Sequence, residues 1–110
     1  MRRVLACSAL VSLVTVGSAA AQDPVARGAK VYEDQKCSVC HSIAGKGNAK
    51  GSLDGVATKL TPADVRAWIV DAVGQTAKTK AARKPVMKNY SALPKEDVDA
   101  LVAYLATLKK

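Results

Sequence analysis

Two thiols and an imidazole fall within five consecutive residues, Cys37-Ser38-Val39-Cys40-His41. The spacing is C-x-x-C-H, which suits covalent attachment of a c-type haem. Cysteines three positions apart can bond the two vinyl-derived carbons of one porphyrin. The histidine that follows is then held beside the iron, where a ring nitrogen can ligate it. The whole chain holds three cysteines and one histidine, so nearly all its soft-ligand chemistry lies in this stretch. A tetrahedral zinc site needs about four N, S or O ligands, and no second Cys/His cluster exists to complete one. A thioredoxin-like C-x-x-C belongs beside a strand–helix–strand pattern, and the sequence predicts no such strands.

An iron held by one histidine needs a partner on its other side if it is to carry electrons. Met87 is the candidate, because a thioether can serve as the second axial ligand opposite histidine. A lone methionine is otherwise a core-filling residue. Met87, however, follows Pro85 in a stretch without a helical stripe, and no other thioether or imidazole remains once Met1 is removed.

The elements that must position these groups are helical. The first helix is predicted from about Pro24 to Lys36, with Asp23 as its N-cap and Pro24 at its first position. Gly28, Val31, Tyr32 and Gln35 share one of its faces. A mid-helix glycine costs about 1 kcal/mol relative to alanine, so Gly28 suggests close approach by another helix. The motif ends this helix, and the glycine-rich run from Ser42 to Val56 reads as a long loop. Such a loop can wrap a porphyrin edge, and its carbonyls can accept the second ring N–H of His41. Thr61-Pro62-Ala63-Asp64 resembles a capping box that opens a second helix. Its stripe is Val65, Trp68, Ile69, Ala72 and Val73, with Gly74 as its stop. Trp68 is most simply a core residue, and its indole N–H is a candidate donor to a haem propionate. From Gln75 to Tyr90 no helix of useful length is predicted. The last helix runs from Pro94 or Lys95 to Leu108, with the stripe Val98, Leu101, Val102, Leu105 and Leu108. Glu96 and Asp97 near its start and Lys109 and Lys110 at its end suit the helix dipole.

The chain of 110 residues has room for one domain. Its first part reads as a cleaved secretory signal peptide over residues 1–21, leaving a domain over 22–110. Met1-Arg2-Arg3 supplies the positive start, Val4 to Val16 the apolar run, and Ala19-Ala20-Ala21 the cleavage site. The apolar run is short for a membrane anchor, which needs roughly 20 residues. Cys7 lies before that run ends and reads as a passenger in the removed segment. Export places the mature domain in the periplasm. Removal of Arg2 and Arg3 lowers the formal net charge of +8 by two and leaves a basic domain. Basic charge favours acidic protein partners. Nucleic acid is not expected as a partner, since the chain is exported and has few aromatic residues for base stacking. Phe is absent, and the aromatic residues are Trp68, Tyr32, Tyr90 and Tyr104. A haem would supply the large apolar centre that so small a domain lacks, so the haem-free chain is expected to fold poorly.

Taken together, these segments resemble class I cytochrome c in its small bacterial monohaem form. The resemblance is carried by Gly28-x-x-x-Tyr32, the C-x-x-C-H motif, Gly51-Ser52-Leu53-Asp54-Gly55-Val56, Met87-Lys88-Asn89-Tyr90 and Leu101-Val102-Ala103-Tyr104-Leu105. It implies an all-α fold of three to four helices with long loops wrapped around one covalent haem c and its iron. It further implies thioether bonds at Cys37 and Cys40, with His41 as proximal and Met87 as distal ligand. Tyr32 and Trp68 would pack on the haem. The first and last helices would cross at Gly28, near Tyr104 and Leu101. Ser52 stands where the family usually has the proline whose carbonyl holds the proximal histidine, and Lys88 stands where it commonly has proline after the methionine.

The expected function is that of a soluble, monomeric electron carrier without stable membrane insertion, cycling iron between Fe(II) and Fe(III). Lys78, Lys80, Lys84 and Lys88 near Met87 are candidates for steering redox partners with acidic docking surfaces. Two alternatives stay open: a haem subunit of a larger oxidoreductase, and a haem protein with a labile Met87 that binds a diatomic gas or peroxide. No second imidazole is present to activate peroxide, so no catalytic residue is assigned.

Overall fold

The computed structural model describes residues 23–110; the segment read as a signal peptide lies outside them. Five helical segments carry the fold: α1 (Pro24–Asp34), α2 (Val56–Lys59), α3 (Pro62–Val70), α4 (Ala72–Thr79) and α5 (Lys95–Leu105). A two-residue hairpin, β1 (Ser42–Ile43) with β2 (Lys46–Gly47), is the one sheet among the described residues. No helix among them is long and apolar enough to cross a membrane.

Helix α1 starts as its sequence requires, with the Val25 N–H donating to the Asp23 carboxylate at 3.0 Å and Pro24 in the first turn. It ends at Asp34, two residues earlier than expected. Lys36 adopts a left-handed backbone, φ 56°, which turns the chain out of the helix and into the motif. Helix α1 crosses α5. A Cβ added to Gly28 would lie 2.0 Å from the Ala100 carbonyl oxygen and 2.6 Å from Tyr104 Cβ. The mid-helix glycine therefore marks the crossing, with Ala100 in the place expected for Leu101. The core gathers Val31 of α1, Val65 and Ile69 of α3, and Val98, Leu101, Val102 and Leu105 of α5. Ion pairs bind the outside of the same elements: Arg27 with Asp97 at 2.8 Å, and Arg66 with Asp99.

The capping box at Thr61 and Asp64 forms in both directions. The helix it opens stops sooner than predicted. Asp71 leaves helical geometry (φ −140°, ψ 53°), and its carboxylate accepts from the Gly74 N–H at 3.2 Å. A short polar side chain that bonds nearby N–H groups competes with the helix ladder. Gly74 thus lies in the first turn of a new helix, α4, and does not end the old one. That helix runs to Thr79, into a stretch for which no helix was expected. The break also turns Val73 out of the apolar stripe, leaving it 55% exposed.

The run from Ser42 to Val56 is a chain of small regular pieces: the hairpin, a 3-10 turn at Ala49–Gly51, and the start of α2. Helix α5 ends at Leu105, three residues short of the predicted Leu108. Its last turn loosens so that the Leu108 carbonyl can accept from the Ala57 N–H at 3.0 Å, fastening α2 to the chain end.

Candidate haem-binding site

The turn after α1 folds the motif back on itself. Cys37–Val39 form a 3-10 turn, and the Cys37 carbonyl accepts from the N–H groups of Cys40 at 3.1 Å and His41 at 2.9 Å. This tight winding presents both thiols and the imidazole to one cavity. The hairpin supports it from behind through Asn48. The Asn48 N–H donates to the carbonyls of His41 (2.9 Å) and Ser38 (3.1 Å), and Asn48 Nδ2 donates to the Val39 carbonyl (3.2 Å). Sequence reasoning passed over Asn48. The signal was an amide side chain in a glycine-rich run, where it can bond several backbone groups at once.

His41 Nδ1 lies 3.0 Å from the Gly51 carbonyl oxygen. A carbonyl only accepts, so Nδ1 carries the proton and Nε2 keeps its lone pair. The expected loop carbonyl does hold the imidazole, but it belongs to Gly51 and not Ser52. The reason is local. Ser52 is engaged with β1, as the Leu53 N–H donates to the Ser42 carbonyl and Ser42 bridges to Ser52. The residue before it therefore turns its carbonyl to the ring. Burial pushes the imidazole below its ordinary pKa; the Gly51 bond opposes this, and the nearby Arg83 charge adds to it. Burial pushes the Cys37 thiol up.

The cavity measures about 640 Å³, within the range of roughly 300–1,000 Å³ for ligand and cofactor sites. Besides Cys37, Cys40 and His41, its wall contains Met87, Tyr32, Trp68, Leu53, Ile69, Leu101 and Leu105. Trp68 is half-buried on this wall and not a member of the closed core. Tyr32 packs edge-on to Tyr104, with ring centroids 6.0 Å apart. Its hydroxyl is buried without a hydrogen-bond partner, and burial raises its pKa to about 12. Of the four lysines singled out near Met87, Lys88 reaches the cavity wall, and Lys78, Lys80 and Lys84 are exposed. Arg83, which the sequence reading did not single out, is half-buried on the same wall, with its guanidinium packed over Gly51. Among the described residues no cluster of three or more His, Cys, Asp or Glu side chains is placed to hold a bare metal ion.

A family model for cytochrome c matches residues 25–109, nearly the whole of the described chain. The chain belongs to the cytochrome c family. This family binds haem c covalently, with its iron, and the cytochrome c domain carries a haem electron-transfer role. Among curated proteins the chain is 34% identical over 92 residues to cytochrome c oxidase subunit 2 of Alkalihalophilus pseudofirmus, a match that covers 76% of this chain. The chain spans about a quarter of that relative's length. No solved structure matches it. The residues present suit the family's cofactor. Two free thiols, an imidazole with Nε2 available, a thioether and a largely apolar wall converge on one cavity.

Proposed function

We propose that this cytochrome c domain is an exported, freely diffusing one-electron carrier in which His41 and Met87 are the two axial ligands. The observation that carries the reading is the convergence of Cys37, Cys40, His41 and Met87 on one apolar cavity. When bound, haem c supplies an iron that alternates between Fe(II) and Fe(III). Cys37 and Cys40 Sγ hold the porphyrin through thioether bonds. His41 Nε2 would ligate the iron, oriented by the bond from Nδ1–H to the Gly51 carbonyl. Met87 Sδ would supply the second ligand; a weakly donating thioether in an apolar wall disfavours added positive charge and so favours the reduced state. Tyr32 and Trp68 pack against the ring. The exposed lysines 78, 80, 84 and 88 draw in partners with acidic surfaces. Residues 1–21 direct export to the periplasm, where the haem is attached.

The test combines a pyridine haemochrome spectrum with intact mass on protein from the periplasm, followed by a Met87→Ala variant. One covalent haem per chain and cleavage after Ala21 are expected. The variant should lose the sulfur-to-iron charge-transfer band of the ferric form and gain rapid carbon monoxide binding in the ferrous form. A wild-type protein without that band would instead have an open sixth position, as in the gas-binding alternative. A second reading, a haem domain working within a larger oxidoreductase, is favoured by the likeness to an oxidase subunit. Size-exclusion chromatography of the native extract separates the two, since a free carrier elutes at its own mass.

A further inference from the structure

We infer that the break between α3 and α4 is a latch for the segment that carries Met87, and that Asn89 is its positioning residue. The inference rests on Met87 being an iron ligand. In an unbroken helix the N–H of residue i bonds the carbonyl of residue i−4, so the Val73 N–H would bond the Ile69 carbonyl. Asp71 breaks the helix between them and leaves both groups without that bond. Two residues just past Met87 take up the two groups. Asn89 Oδ1 accepts from the Val73 N–H at 2.9 Å, and the Tyr90 N–H donates to the Ile69 carbonyl at 2.8 Å. The Asn89-Tyr90 dipeptide therefore stands in for the missing helical bond.

The rest of the Met87 segment has no comparable fastening. Among the described residues, 82–88 make no hydrogen bond. Upstream, the nearest hydrogen bond is that of the Ala81 N–H to the Thr76 carbonyl at 3.2 Å. Downstream, the latch begins two residues after Met87. Lys88 bridges the interval, its Nζ 5.0 Å from the centre of the Tyr90 ring. Tyr90 is itself part of the cavity wall beside Met87. Where the Met87 thioether stands is thus set by where Asn89 and Tyr90 are held, and that is set by the helix break. The Asp71 interruption, which looks like a defect of α3, provides the socket.

The test is Asn89→Ala in the haem-loaded protein, with Asn89→Asp as the rescue. Alanine leaves the Val73 N–H without its acceptor. Aspartate keeps an acceptor oxygen, and its charge suits the first turn of α4. The loss of a hydrogen bond of ordinary net strength predicts about three- to tenfold faster carbon monoxide binding by the ferrous alanine variant. Its ferric sulfur-to-iron charge-transfer band should weaken and its reduction potential should fall. The aspartate variant should return all three toward wild type. A generally loosened fold would not be restored by an acceptor alone. Carbon monoxide binding within twofold of wild type in Asn89→Ala, or an aspartate variant no better than alanine, overturns the latch while leaving Met87 as ligand. Absence of the charge-transfer band in the wild type overturns both.

Discussion

Where α1 meets α5, the backbone of Gly28 lies so close to Ala100 that one added methyl group would overlap its carbonyl oxygen. Across the cavity, the residues from 82 to 88 make no hydrogen bond among the described residues, and Met87 depends on a two-residue latch further on. The motif side is wound tightly by Cys37, Asn48 and Gly51 carbonyl and amide contacts. The methionine side is exposed and basic. One wall is therefore a fixed frame around Cys37, Cys40 and His41. The other is a soft flap that carries Met87, the proposed second ligand, among exposed lysines. Low local stability is the usual condition of segments that bind or move.

The largest way to break this contrast is to withhold the haem. The cavity of about 640 Å³ lies among Ile69, Leu101, Leu105, Tyr32 and Trp68, and a space of that size cannot stay empty and close-packed. Chain produced without haem attachment should lose cooperative thermal unfolding by circular dichroism and bind a hydrophobic dye. The haem-loaded form should unfold in one transition. A helical, cooperatively unfolding haem-free form would show that the frame stands without its centre.

How far the sequence foretold this contrast depends on whether an interaction is local. The motif, the Thr61–Asp64 capping box and the α5 stripe depend on residues within a few positions of each other, and they lie where they were read, the stripe as far as Leu105. Gly28 was legible as a close approach because a mid-helix glycine has few other uses. The helix break was not legible. Val65, Trp68, Ile69, Ala72 and Val73 keep a helical period through Asp71, and the groups that the break frees are filled by Asn89 and Tyr90, 16 or more residues further on. Likewise, nothing in the order of residues could say that Gly51 and not Ser52 would turn its carbonyl to His41, or that Asn48 would bind three carbonyls of the motif.

A smaller intervention acts on the frame alone. Gly28→Ala places a Cβ 2.0 Å from a backbone oxygen, so the helices must move apart. Overpacking of this kind costs typically about 1–3 kcal/mol, and the upper part of that range is expected because the obstructing atom is backbone. The unfolding midpoint of the haem-loaded protein should fall accordingly. If the flap is held separately from the crossing, the sulfur-to-iron band should persist at temperatures where the protein remains folded. Loss of that band in the folded variant would show that α1 and the Met87 segment are coupled, and the contrast between the two walls would have to be given up.

The mildest test concerns the charges on the outside of each wall. Arg27 grips one carboxylate oxygen of Asp97 through both Nε, at 2.9 Å, and Nη2, at 2.8 Å, and joins α1 to α5. The pair is partly exposed, at 40% and 25% for the two side chains, so Arg27→Ala should lower stability by about 0.2–1 kcal/mol. The loss should shrink in high salt, because an exposed pair is screened. Lys84 on the flap has no ion-pair partner among the described residues. Lys84→Ala should leave stability within about 0.5 kcal/mol of wild type. Its effect should appear as slower electron transfer to an acidic partner at low ionic strength, vanishing as salt is raised. Charge on the frame would then act on folding, and charge on the flap on encounter. A Lys84 variant that lost stability but kept its transfer rate would reverse that assignment.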